Sequence, residues 1–280
     1  MKKILIPIDF KFNSYDAIDY AVAFFKLEKC HFYFLNTYTY DAEGLNAIDL
    51  LQADEEWFNE PKRNSEIRLQ RVLRKYTLNN RNEYHRFNAI SECTNLVEGI
   101  KKTIKDLKID LLIFAGKGQT NIGSNLYSRN TKRIIDKIRD CPVMIIPASA
   151  HIKNNPKYIF VSNFEINLPN KELENWYEIV KITKGSVKII SLSRKDKLTP
   201  IQKANQNKVR SRIEKLFEIP VSIEYLETPH DLRNFSQYNS DHIISWMERK
   251  PDFWRRFGLT HSRITSMGPL PSNPLIALHR

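Results

Sequence analysis

The feature that most constrains the fold is the order of the apolar segments along the chain. Segments in which apolar residues recur every three or four positions alternate with short, continuous apolar runs. Such runs are typical of parallel strands that are covered on both faces, and their alternation with helices predicts an open α/β sheet with right-handed crossovers. In the first half the runs are "KILIPID" (3–9), "HFYFLNTY" (31–38), "EYHRFNAI" (83–90), "IDLLIFA" (109–115) and "CPVMIIP" (141–147).

The helices of the first half can be placed within this pattern. Asn13 or Ser14 has the side chain of an N-cap residue for the helix after the first strand, and Thr94 has one for the helix after the third. Residues 41–78 form a long connection that has helical periodicity towards its end. A glycine-rich turn follows the fourth strand and leads into the last helix of this half.

The same order of segments begins again in the second half. Its apolar runs are "YIFVSNF" (158–164), "SVKIISL" (186–192), "PVSIEYLE" (220–227), "SDHIISW" (240–246) and "NPLIALH" (273–279). The spacing agrees as well, because Asp110 precedes Pro142 by 32 positions and Asp241 precedes Pro274 by 33. Agreement in both residue type and spacing indicates an internal repeat.

The repeat divides the chain into two predicted domains. Residues 151–157 are polar and rich in breaker residues, which is typical of a linker. We therefore predict a first domain at residues 1–150 and a shorter copy at residues 151–280, which lacks most of the insertion after the second strand.

Composition narrows the class of protein. No apolar run approaches the ~20 residues that span a bilayer, and Pro7 and Asp9 interrupt the apolar start, so it indicates a buried strand rather than a signal peptide. Cys30, Cys93 and Cys141 form no Cys-x-x-Cys pair, and the seven histidines are scattered. These features argue against a disulfide framework or a zinc site and fit a reducing cytoplasm.

The net charge of +12 raises the question of a polyanionic partner. The densest basic stretch runs from Lys62 to Arg86, where Glu66 and Glu83 are the only acidic residues. The same stretch also has an apolar side, so the pattern favours a solvated helix face. Nucleic acid or an acidic protein is the alternative, since charge by itself identifies no partner.

These segments resemble the universal stress protein family in its tandem two-domain form. The resemblance covers essentially the whole chain and rests on "ILIPIDF", "IDLLIFAGKG", "SRNTKRII" and "CPVMIIP", with weaker echoes in "IFVSNF" and "SNPLIALH". It implies a Rossmann-like, five-stranded parallel sheet in each domain, with strand order 3-2-1-4-5 and helices on both faces. It also implies pairing through the fifth strand, within one chain or in a homodimer. One branch of the family binds ATP or a related adenine nucleotide, and another does not.

The nucleotide-binding branch carries a motif of Gly, two residues, Gly, nine residues, Gly and then Ser or Thr. Glycine lets the backbone approach phosphate oxygens at the start of a helix. On this chain the four positions fall on Ala115, Gly118, Ser128 and Arg129, while Gly116 lies nearby but out of register. Only Gly118 matches, so the segment predicts an eroded phosphate-binding loop.

Three side chains near this loop carry further expectations from the resemblance. Asp9 holds the position that faces the nucleoside in binding members, although an aspartate that ends a strand is also a common turn residue. Thr37 holds the position whose backbone meets adenine. Arg129 can pair with a phosphate or lie exposed in the first helical turn, but its bulk favours a third interpretation, that it fills the phosphate space. The candidate nucleotide-binding residues are therefore Asp9, Thr37, Gly116, Gly118, Ser128 and Arg129.

The second copy departs further from the motif. Asn163 replaces the aspartate after its first strand. The four motif positions fall on Met247, Lys250, Thr260 and His261. The segment from Phe253 to Arg263 is aromatic and basic. We expect its rings to cover the end of the sheet, with partner docking or base stacking as the functional alternatives.

No catalytic motif accompanies these features. The sequence has no Walker loop, no dinucleotide fingerprint after the first strand, no Gly-x-Ser-x-Gly elbow and no nucleophile paired with a base. Together with the family resemblance, this implies a non-catalytic cytoplasmic stress-response protein that requires no cofactor and acts by binding an unknown protein partner, with at most weak binding of ATP or another adenine nucleotide in the first domain. The alternatives are an ATP-binding regulatory sensor and a basic-surface binder of nucleic acid or acidic protein; no membrane partner is expected.

Overall fold

The computed structural model describes residues 1–40, 55–116, 126–152, 155–248 and 263–279. The strands within these ranges are β1 (Lys2–Pro7), β2 (Cys30–Tyr38), β3 (His85–Cys93), β4 (Leu111–Gly116), β5 (Val143–Pro147), β6 (Lys157–Ser162), β7 (Ser186–Leu192), β8 (Ile223–Leu226), β9 (His242–Glu248) and β10 (Leu275–His279). The α-helices are α1 (Phe12–Phe24), α2 (Glu55–Asn79), α3 (Leu96–Leu107), α4 (Arg129–Lys137), α5 (Asn170–Val180), α6 (Pro200–Phe217), α7 (Pro229–Tyr238) and α8 (Arg263–Met267).

The strands form one sheet in the order β3-β2-β1-β4-β5-β10-β9-β6-β7-β8. Each half of the sheet has the predicted order 3-2-1-4-5 and is parallel throughout. The two halves are not separate sheets, because β5 and β10 pair antiparallel at the centre. The predicted α/β fold is therefore confirmed, with both five-stranded units joined along their fifth strands.

The apolar runs form these strands because helices cover both faces of the sheet. Ile4, Leu5 and Ile6 of β1 are fully buried, although consecutive side chains in a strand point to opposite faces. Ile4 and Ile6 belong to one core cluster, and Leu5 belongs to the other. Both clusters contain residues from both halves of the chain, so each face of the sheet has a core that crosses the β5–β10 junction.

The hydrogen bonds of the sheet confirm the internal repeat. Leu112 N donates to Pro142 O at 3.0 Å, and Ile244 N donates to Pro274 O at 2.9 Å. Residues after β1 and β6 match as well, since Phe10 and Phe164 both have left-handed backbone conformations, with φ of 60° and 55°. The domain boundary at residue 150 stays a prediction.

Two predicted helix starts are wrong, that of α1 by two or three residues and that of α3 by one. The N-cap of α1 is Lys11, because the Ser14 hydroxyl is used in a different contact, with Asp9. The N-cap of α3 is Asn95 rather than Thr94, since the Asn95 side chain accepts a hydrogen bond from Glu98 N at 3.2 Å. Helix α2 confirms the predicted helical end of the long connection, whose earlier part (41–54) lies outside the described residues.

The described ranges contain neither a membrane-spanning helix nor a cluster of metal ligands. No helix there combines the length and apolar character needed to cross a membrane. No group of three or more His, Cys, Asp and Glu side chains in those ranges has an arrangement that could hold a metal ion.

Candidate functional site

The strand order reverses between β1 and β4, which leaves a crevice at the carboxyl ends of these strands. In open α/β sheets this switch point is the usual place for a ligand. A cavity of about 210 Å³ lies here, lined by the carboxyl ends of β1, β2 and β4 and by the starts of α3 and α4. Three of the predicted site residues, Asp9, Thr37 and Ser128, line it together.

Asp9 is held in a tight turn between β1 and α1. Its Oδ1 accepts hydrogen bonds from Ser14 Oγ at 2.6 Å and from Lys11 N at 3.1 Å. The Ser14 oxygen in turn accepts from Asp9 N at 3.2 Å. Asp9 therefore has the turn role that was one of its two interpretations. Its side chain is still exposed at the cavity, where it adds negative charge to the lining.

Thr37 lies near the end of β2, where the first turn of α3 comes very close. A Cβ on Gly99 of α3 would stand 2.6 Å from Thr37 Cγ2, so only glycine permits this approach. The neighbouring Asn36 donates from Nδ2 to Ile8 O at 2.9 Å and ties the end of β2 to the end of β1. The wall of the cavity is thus fixed by packing and by a side-chain hydrogen bond.

Ser128 is the N-cap of α4. Its Oγ accepts a hydrogen bond from Thr131 N at 3.3 Å and lies 2.9 Å from Thr131 Oγ1. Arg129 begins the helix and is exposed, and the cavity lining includes Asn130 but not Arg129. Arg129 therefore does not fill the cavity, because its side chain is exposed in the first turn of α4; whether it pairs with a phosphate stays a prediction.

Gly116 has a packing role at the end of β4. A Cβ there would stand 2.6 Å from Ile145 Cγ2 on the neighbouring β5, so the missing side chain lets the two strands approach. Gly118, the position that matched the motif, lies outside the described residues. Whether it contacts a phosphate stays a prediction.

Besides the motif position Ala115, seven residues that line the cavity were not predicted as site residues: Pro7, Ile8, Ser14, Asn36, Leu96, Phe114 and Asn130. Asn36 and Phe114 directly precede predicted candidate positions, while Leu96 and Asn130 lie in the first turns of helices that start at the same edge. The common signal is the edge of the sheet, since the lining residues lie at or just after the carboxyl ends of strands or in the first turns of helices that begin there.

The second half has different residues at the equivalent place. Met247 stands where Ala115 stands, and its larger side chain is buried. Among the residues that the structure describes, none pairs with the buried Nδ2 of Asn163, while Gln202 Nε2 donates to the backbone carbonyl oxygen of Asn163 at 2.9 Å. The predicted motif positions Lys250, Thr260 and His261, and the segment from Phe253 onward, lie outside the described residues, except that Arg263 opens α8 and pairs with Glu165 at 3.2 Å.

The cavity combines polar groups with apolar walls. Its lining offers the Asp9 carboxylate, the hydroxyls of Thr37 and Ser128, two asparagine amides and apolar walls. The buried thiols lie elsewhere, and burial raises the pKa of Cys30 and of Cys141 to about 12. Those thiols stay protonated near neutral pH and are poor nucleophiles.

A comparison with known protein families agrees with the fold described above. The model of the universal stress protein family matches residues 1–147, more than half of the chain. The chain belongs to the universal stress protein family. Curated protein sequences give no match.

Solved structures show the same fold over the whole chain. A universal stress protein from Archaeoglobus fulgidus DSM 4304 has a TM-score of 0.73 and 16% identity, covering 99% of this chain and 98% of that one. A functionally unknown protein from Pseudomonas aeruginosa PAO1 has a TM-score of 0.59 and 11% identity, covering 100% and 92%. The cytoplasmic domain of a prokaryotic cation chloride cotransporter has a TM-score of 0.52 and 14% identity, covering 99% and 94%. At such identities the likeness shows the fold alone.

Proposed function

We propose that this universal stress protein is a non-catalytic stress-response protein that acts by binding, and that the cavity at the β1–β4 switch point takes an adenine nucleotide with low affinity. The observation that carries the proposal is the gathering of Asp9, Thr37 and Ser128 around one cavity at that point. A carboxylate suits ribose hydroxyls, and the start of α4 suits an anion.

Low affinity follows from the same geometry. A volume of about 210 Å³ is below the ~300–1,000 Å³ of ordinary ligand pockets. One oxygen of Asp9 already accepts two hydrogen bonds in its turn, and Ser128 already caps α4. A nucleotide would have to compete with these contacts or use the remaining lone pairs.

The direct test is to ask what the purified protein carries and what stabilises it. Protein prepared without added nucleotide is denatured, and the supernatant is analysed for adenine compounds by mass spectrometry. Thermal unfolding is then followed with millimolar ATP, ADP and adenosine, because a ligand that binds only the folded state raises the midpoint. We expect a rise with at least one of them; a clean blank with no shift contradicts the proposal.

A matched pair of variants ties any shift to the cavity. Asn130→Trp puts a bulky ring at a residue that is exposed and lines the cavity, so we expect it to abolish the shift. Arg133→Trp puts the same ring at an exposed position one turn further along α4, away from the lining, and should keep it. Equal shifts in both variants would place the ligand elsewhere.

One observation favours a regulatory sensor as the second candidate. Helix α4, whose N-cap lines the cavity, contacts α8 of the second half. A nucleotide that moved the start of α4 would therefore change a contact between the halves. The sensor requires a bound nucleotide to alter this contact, which hydrogen exchange of α8 with and without ATP would measure.

A further inference from the structure

A surface that combines cations and aromatic rings lies on α2 and at the start of α1, two helices that cover the same face of the sheet. We call it the basic–aromatic seam and define it by Phe10, Phe12, Arg68, Arg71 and Arg74. Arg68 Cζ lies 4.2 Å from the centroid of the Phe10 ring. Phe12 comes two residues later at the start of α1 and is 89% exposed, which is unusual for so large an apolar side chain.

The arginines of the seam are exposed and have no acidic partner. Within the part of the chain that the structure describes, Arg71 and Arg74 form no ion pair or hydrogen bond, and Arg68 contacts only the Phe10 ring. The corresponding helix of the second half, α6, differs, since Arg210 pairs with Glu214 at 2.9 Å and Arg212 pairs with Glu174. The cations of the seam are therefore available to a ligand in a way that the arginines of α6 are not.

Helical geometry sets the arginines in a short row. Arg68, Arg71 and Arg74 are spaced by three residues, so consecutive side chains are neighbours on the helix surface, and the row extends about 9 Å along the axis. Phe12 is two residues from Phe10, so its backbone lies within about 8 Å of the residue whose ring contacts Arg68.

Acidic side chains limit the seam at its other end. Lys75 lies 4.8 Å from the ring centroid of Tyr15, but Asp16 and Asp19 of α1 are exposed close by, and Asp19 accepts a hydrogen bond from Tyr76 Oη at 2.7 Å. We therefore leave Lys75 out of the seam.

We propose that the basic–aromatic seam binds single-stranded nucleic acid, without dependence on base sequence. Arginine side chains contact backbone phosphates, and aromatic rings and guanidinium planes offer faces on which unpaired bases stack. The exposed Phe12 decides between a nucleic acid and an acidic peptide, because a peptide carboxylate needs the cations but has no use for a free aromatic face. A duplex keeps its bases stacked internally and would use the phosphates only.

The test is fluorescence anisotropy of a labelled 20-nucleotide single strand with the full chain over a range of salt concentrations. Three phosphate contacts predict a slope of about −2 for the logarithm of the association constant against the logarithm of salt, or a roughly 20-fold loss between 50 and 200 mM. Arg71→Glu with Arg74→Glu should lower affinity more than tenfold and flatten the slope. Phe12→Ala should lower affinity about tenfold and leave the slope unchanged.

The matched control reverses two charges on α6 instead. Lys203→Glu with Lys208→Glu makes the same change in net charge at two exposed positions, so it should leave affinity nearly unchanged if the seam is the site. Equal losses in both double variants would reduce the effect to overall charge and overturn the proposal. Tighter binding of a polyglutamate peptide, equal binding of a duplex, or the absence of binding at 50 mM salt would also overturn it. Circular dichroism of each variant checks that the fold is kept.

Discussion

At the scale of single residues, His85 shows how one side chain can make stability depend on pH. It is 4% exposed and stands at the start of β3. Its Nε2 lies 3.0 Å from Phe25 O and its Nδ1 lies 2.9 Å from Asn80 Nδ2. A neutral ring with the proton on Nε2 donates to the carbonyl and accepts from the amide, so it satisfies both contacts. A second proton on Nδ1 would point at the Asn80 amide, which is also a donor, so this hydrogen bond would be lost.

We predict that the protein loses stability as the pH falls from 7.5 to 5.5. Burial lowers the pKa of His85 below its ordinary 6.5, against the opposing effect of the Phe25 carbonyl. The unfolded chain therefore binds the proton more readily than the folded one, and the free energy of unfolding decreases as the pH falls through 6.5. Urea denaturation at several pH values measures this decrease.

His85→Gln supplies the control for this prediction. It should cost about 1–2 kcal/mol at pH 7.5, where the hydrogen bonds of the ring are lost. It should also make the decrease towards pH 5.5 smaller. A residual decrease is expected from His242, because burial lowers its pKa as well. An identical pH dependence in the variant and the parent would show that His85 is not responsible.

At the scale of elements, the contact between α3 and β2 is fixed by one missing side chain. Gly99→Ala would place a Cβ 2.6 Å from Thr37 Cγ2 and 3.1 Å from Thr94 Cγ2. Threonine is stiff at χ1, so the methyl group of Thr37 cannot easily move away. Alanine gains about 1 kcal/mol of helix propensity over glycine, but crowding costs about 1–3 kcal/mol. We predict a net loss of about 1 kcal/mol in the free energy of unfolding.

The double variant Gly99→Ala with Thr37→Ser tests the cause. Serine lacks the Cγ2 methyl, so the alanine should then be tolerated and the loss should largely disappear. Chemical denaturation of the parent, both single variants and the double variant gives the coupling energy directly. Additive effects of the two substitutions would mean that some other contact requires the glycine.

Elements of this fold could be predicted from the sequence because a strand covered on both faces needs a continuous apolar run. Helix starts were less predictable, since Ser14 and Thr94 are good cap residues whose actual contacts depend on the neighbouring turn. β3 begins at His85, two residues later than predicted, because Asn82 Oδ1 accepts from Tyr84 N at 3.0 Å and keeps the chain in a turn.

The candidate site was predictable only in part, for a related reason. Asp9, Thr37 and Ser128 meet because carboxyl ends of parallel strands share one edge, which the order of elements determines. The close packing of Gly116 depends on Ile145, a neighbour that is distant in sequence. The spacing of residues along the chain does not predict such tertiary contacts.

At the scale of the whole molecule, the two repeats form one continuous sheet. β10 lies between β5 and β9, so Ile276 is paired with Met144 of the first half and with Ser245 of the second. Lys2 also pairs with Glu178 across the halves at 3.4 Å. The salt bridge is partly exposed and contributes little. The buried central strands therefore carry most of the coupling between the halves.

We predict that the parent protein unfolds in a single transition and that Ile276→Lys divides it into two. Ile276 is 0% exposed, so the variant buries an unpaired charge at the junction and should cost about 4 kcal/mol or more. Four of the five strands of the first half do not border β10, so the first half should unfold later than the second. Calorimetry and tryptophan fluorescence separate the two steps, since Trp176 and Trp246 lie in the second half and Trp57 in the first.

Ile201→Lys, at a position that is 68% exposed, is the matched control and should keep the parent's single transition. One unshifted transition in Ile276→Lys would mean that the halves are not coupled through β10.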